Sequence, residues 1–98
     1  MARSVNIAPE VVRGIESFGL QGQTSIRILE SVEHNLAEFG DRFASDRWDK
    51  CPDDFFVYSH VLIDGGRWHN LVFVVDDTVE EMGILRVLWV EHYPGDFV

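Results

Sequence analysis

The chain has 98 residues, 46% of them hydrophobic and 26% charged, the composition of one folded domain with its own core, and residues 1–98 are read as a single domain. Its net charge of −9 argues against a nucleic-acid binder of the ordinary kind, which carries a basic surplus to displace counterions from phosphate. The charge is uneven: residues 1–52 hold six basic and eight acidic side chains and residues 53–98 hold two and nine, so a basic patch is confined to Arg42, Arg47 and Lys50, joined by Arg3, Arg13 or Arg27.

Arg3-Ser4-Val5-Asn6-Ile7 reads as a short first strand. Ala8-Pro9-Glu10 then starts a helix, because proline at the first helical position has no N–H to leave orphaned and the following acid suits the positive end of the helix dipole. Val11 or Val12, Ile15 and Phe18 keep helical spacing, and Gly19 is placed to end the run. After Gln21-Gly22-Gln23, Thr24 or Ser25 is placed to cap a second helix. In that helix Leu29, Val32, Leu36, Phe39 and Phe43 fall on one stripe, with Glu30, Glu33, His34 and Glu38 facing elsewhere. Two helices with a short connection form a hairpin whose apolar stripe needs a sheet to cover.

Residues 44–54 form an irregular link, with Pro52 ending any helix before it. Phe55–Ile63, Trp68–Val75 and Ile84–Tyr93 follow as a meander of strands rich in β-branched and aromatic residues. A two-residue turn at Gly65-Gly66 pairs Leu62 with His69 and Val61 with Asn70. His60, His69, Tyr58 and Phe73 then share one face of the hairpin, and Ser59, Val61, Asn70, Val72 and Val74 the other. The fold class expected is α+β: an N-terminal helical hairpin packed on a three- to four-stranded, mainly antiparallel sheet.

Cys51 is the single cysteine, so an internal disulfide is excluded, and no Cys/His spacing matches a zinc site. No cofactor is expected. No apolar run reaches membrane-spanning length and Met1-Ala2-Arg3-Ser4-Val5 lacks the core of a secretory signal, so the expected place is the reducing cytoplasm, away from membranes.

A short strand, a two-helix hairpin opening on Ala-Pro-Glu and a three-stranded meander, in that order, resemble the small bacterial toxins of the RelE/ParE type over nearly the whole chain. Leu71-Val72-Phe73-Val74-Val75-Asp76-Asp77 is similar to the family's Leu-Val-Tyr-x-Val-x-Asp strand and turn. Glu91-His92-Tyr93 resembles the His-Tyr end of the YoeB branch, where both residues belong to an RNA-cleaving site. The resemblance implies a toxin-type component of a toxin–antitoxin pair, restrained by an antitoxin-like protein and directed at ribosome-bound mRNA or another macromolecular target. RNA-cleaving members carry Arg immediately before the Leu-Val-Tyr strand; here that residue is Asn70, and Arg67 and Arg86 are only near it in sequence.

Metal-independent RNA cleavage needs a proton acceptor, a donor to the leaving oxygen and positive charge at the phosphorane. His92, Tyr93 and Arg86 are the catalytic candidates, with Arg67, Lys50 and Asn70 as substrate-binding candidates; the set is sufficient only if its side chains converge. The alternative is that His92 and Tyr93 merely finish a strand and the chain is a non-catalytic protein-interaction module. His60 and His69 are either a close pair on the hairpin or solvated surface groups, and they lack a third ligand. Trp48, Trp68 and Trp89 supply either an aromatic platform or core, and Asp76–Glu81 is a solvated loop without calcium-loop spacing. Cys51, beside Lys50, has no assigned histidine partner for thiol catalysis. An exposed strand edge would support a homodimer.

Overall fold

The structure is a computed structural model, and it describes residues 4–20, 22–45, 55–77 and 84–97, the side chains of 39–45 and 97 excepted. Arg3, Trp48, Lys50, Cys51, Pro52, residues 78–83 and the side chains of Phe39, Arg42, Phe43 and Arg47 therefore lie outside the described parts. The elements run β1 (Ser4–Ile7), α1 (Pro9–Ser17), α2 (Thr24–Ser45), β2 (Phe55–Asp64), β3 (Arg67–Asp76) and β4 (Ile84–Phe97). They form one four-stranded sheet in the order β1-β4-β3-β2, in which only β1 and β4 are parallel. The fold is α+β, with both helices on one face of a mixed sheet.

Local chemistry explains the helix ends. Ala8 is extended at φ −63° and ψ 144°, as the residue before a proline must be, and its carbonyl accepts from Val11 N–H at 2.9 Å to start α1. Gly19, at φ +74°, follows the last turn. The expected cap of α2 differs: Thr24 is already helical, and its hydroxyl donates to Asp64 Oδ1 at 3.0 Å. Gln23 stands at the entry instead, its carbonyl accepting from Arg27 N–H at 3.1 Å. Thr24 thereby ties the start of α2 to the end of β2.

The core forms where the helix stripes meet the sheet. Val11 and Ile15 from α1, and Ile28, Val32 and Leu36 from α2, are buried against Phe56, Leu71, Phe73, Val75, Leu85 and Val87. The α2 stripe is centred one position earlier than spacing suggested, on Ile28 with Leu29 only partly buried. Steps of four from Ile28 through Val32 to Leu36 keep these side chains over the sheet. In this layer the Tyr58 hydroxyl accepts from Asn35 Nδ2 at 2.8 Å.

The β2–β3 hairpin has the register read from its turn, with Leu62 opposite His69 and Val61 opposite Asn70. Gly65 and Gly66 both take positive φ, 61° and 73°, the combination a two-residue primed turn requires. β3 and β4 pair less regularly. Val75 faces Val87 and Val74 faces Trp89, so Leu88 is an extra residue, a β-bulge. The bulge reverses the alternation along β4. Before it Leu85 and Val87 face the helices; after it Val90 and His92 do, while Leu88, Trp89, Glu91 and Tyr93 face away.

Candidate functional site

The bulge determines where the predicted site residues lie. His92 sits opposite Leu71 on the helix-covered face, and Tyr93 sits opposite Asn70 on the uncovered face. Arg86 is opposite Asp76, six residues along β3 from Asn70, which places it about 20 Å from Tyr93 at roughly 3.3 Å per residue. Arg67 lies at the hairpin end, opposite Asp64, and alternation puts it on the face of His69. Lys50 lies outside the described residues. The structure brings Tyr93 and Asn70 together and does not bring His92, Tyr93 and Arg86 to one point. Arg67 and Arg86 each interact already with other groups.

His69 and His92 form a hydrogen-bonded pair of titratable rings. His69, only 9% exposed, has Nδ1 at 2.8 Å from His92 Nε2 and Nε2 at 3.1 Å from the Asp64 carbonyl. A carbonyl oxygen only accepts, so His69 Nε2 carries a proton and, in the neutral ring, Nδ1 is the acceptor; His92 Nε2–H donates to it. The two rings are nearly parallel, 12° apart with centroids 5.1 Å apart, and Phe18 stacks on His92 at 4.7 Å. Burial first and the neighbouring His69 second hold the His92 pKa below the ordinary histidine value. His60 and His69 share one face as the hairpin register implied, but that face is the helix-covered one, which corrects the solvent-side alternative. Both rings face the helices, His60 lies opposite Leu71, and its own pKa is lowered by burial. Among the described residues no group of three or more His, Cys, Asp or Glu side chains could hold a metal ion.

On the other face the Tyr93 hydroxyl donates to Glu91. That hydrogen bond, then the charge of Glu91 and a smaller contribution from burial, raise the Tyr93 pKa. The phenol therefore stays protonated near neutrality, suited to donate or stack and not to accept a proton. Asn70, opposite it, has its side-chain oxygen buried without a hydrogen-bond partner in the described structure.

No family model, curated protein or solved structure matches the chain. The site is thus defined by the molecule's own surfaces. Among the described residues, recesses of about 230 Å³ beside Thr24, Arg27 and His60 and about 220 Å³ beside Asn6, Pro9 and Arg86 lie apart from His92 and Tyr93. Among the described residues no helix is long and apolar enough to cross a membrane.

The uncovered sheet face is the surface that sequence reasoning missed. Seven large hydrophobic side chains are exposed among the described residues, and six of them, Val61, Ile63, Trp68, Leu88, Trp89 and Tyr93, are on this face. Trp68 and Trp89 belong to this platform and not to the core. Scattered exposed apolar groups are ordinary, and their concentration on one sheet face makes that face the candidate interaction surface. Alternation in Val61, Ile63, Trp68, Val72 and Val74 was a visible signal; without the bulge, Trp89 and Tyr93 would have been assigned to the opposite side.

Proposed function

We propose that this chain is a macromolecule-binding component of a bacterial toxin–antitoxin type, built on the plan that its RelE/ParE-like element order suggests, and that it acts by gripping a target instead of cutting RNA. One observation carries the reading: exposed aromatic and aliphatic side chains are concentrated on the face opposite the helices, while His92 and Tyr93 point to different faces. Tyr and Trp on a partly polar platform are the side chains that anchor protein interfaces. The acidic surface favours a basic partner segment, as the antitoxin-like partner would be, because opposite potentials speed encounter and fix orientation.

Ribosome-associated mRNA cleavage is the second reading, favoured by a His92 ring kept neutral near pH 7 and oriented by His69. Controlled induction in a bacterial host separates the two. Binding through the open face predicts growth arrest that survives His92→Ala and disappears with Trp89→Glu, with cellular mRNA intact. Arrest lost in His92→Ala together with mRNA cut by the wild type would favour the nuclease. Harmless induction of all three would remove the toxin assignment and leave a protein-interaction module.

A further inference from the structure

We infer that the chain pairs with a second copy of itself along β2, the two strands running antiparallel about a two-fold axis at Ser59. The sheet order leaves β2 with only one strand neighbour among the described residues. Phe55 through Ile63 contains no proline and no Asp, Glu, Lys or Arg, the devices by which proteins blunt an exposed edge. The opposite side of the sheet is different. There β1 pairs only with Ile84–Val87, and the remainder of β4 carries Glu91, Pro94 and Asp96.

Self-pairing about Ser59 is chemically consistent along the whole run. It sets Val57 against the second copy's Val61 and Phe55 against its Ile63 on the uncovered face; on the helix side it sets Phe56 against Leu62 and Tyr58 against His60. No like charges face each other. A chain of net charge −9 repels its own copy, so a contact is favoured where charge is absent, and β2 offers the longest uncharged run of any strand. Pairing would join two uncovered faces into one platform, with Val61 and Ile63, each more than half exposed, brought beside apolar partners.

Sedimentation equilibrium from about 1 µM to about 1 mM, at low and high salt, tests this, since that range spans the affinities of modest interfaces. The expected result is a mass that rises from one chain toward two, with dimer favoured by salt as the acidic surfaces are screened. Ser59→Lys, at an exposed position, puts two ammonium groups opposite each other on the axis and should lower the association at least tenfold; Glu33→Lys on an exposed part of α2 should not. In a Cys51→Ser background, Ser59→Cys should form an intermolecular disulfide readily, and Ile26→Cys should not. A monomer at every concentration and salt, or a dimer indifferent to Ser59→Lys, would overturn the inference.

Discussion

His92 and Tyr93 are adjacent in the chain yet belong to opposite surfaces, His92 beneath the helices with His69 and Phe18, Tyr93 in the open beside Glu91 and Asn70. The single extra residue Leu88 fixes which of them faces which way. A strand alternates with a period of two, so one inserted residue exchanges the two faces for everything beyond it.

Deleting Leu88 should therefore leave both faces as they are and the protein folded, because Trp89 then follows Val87 directly in a regular strand and Val90 and His92 still face the helices. With Leu88 kept but paired regularly, by contrast, the strand past Val87 would turn Glu91 toward the core and Val90 and His92 outward, which is what the bulge prevents. Burying one unpaired carboxylate costs several kcal/mol, a large part of the roughly 5–15 kcal/mol that holds a domain together. Circular dichroism should show a cooperative thermal transition in the deletion as in Leu88→Ala, and its loss in the deletion would contradict the bulge.

His92 and His60 make stability pH-dependent. Because the folded state lowers the His92 and His60 pKa values, the unfolded chain binds more protons below about pH 6.5, the ordinary histidine value. Their contribution is present above that pH and is lost as pH falls toward the folded values. Urea midpoints should drop between pH 7.5 and pH 5.5, and His92→Gln should flatten the drop.

Tyr93 should titrate above an ordinary tyrosine. Glu91→Gln removes the charge and weakens the hydrogen bond that oppose its ionisation, so its pKa should fall toward the usual value. Absorbance titration of the phenolate, with Tyr93→Phe identifying the signal against Tyr58, reads this directly. An unchanged titration in Glu91→Gln would show that the pair does not form in solution.

The hairpin turn can be tested by backbone chemistry alone. A Cβ at Gly66 would meet nothing within 4 Å, so the cost of Gly66→Ala comes from its positive φ and should be about 1–2 kcal/mol in denaturant unfolding. Gly65→Asn should cost much less, since Asn tolerates the left-handed region.

Most of the fold was legible in residue pattern. Pro9 announced α1, Gly65-Gly66 fixed the hairpin register and, with it, the sharing of one face by His69 and Phe73. The parallel contact between β1 and β4 joins residues 80 positions apart, Ser4 with Ile84 through Ile7 with Val87, and no local signal announces such a pairing. The site was less legible because Leu88 carries no glycine or other turn residue to mark a bulge. Without that bulge the side of the sheet that His92 takes, and with it the His69–His92 pair, cannot be read; the separation of His92 from Tyr93 follows from strand alternation alone. The exposed tryptophans were visible, but burial of aromatics in cores is the commoner outcome and pointed the wrong way.

The central claim is that the uncovered face, and not the His92 side, is the working surface. Affinity capture from the native host with wild type, His92→Gln and Trp89→Glu, all confirmed folded, compares the two surfaces in one measurement. The same stoichiometric partner retained by wild type and His92→Gln and lost from Trp89→Glu is the predicted result. A partner retained by Trp89→Glu and lost from His92→Gln would contradict it.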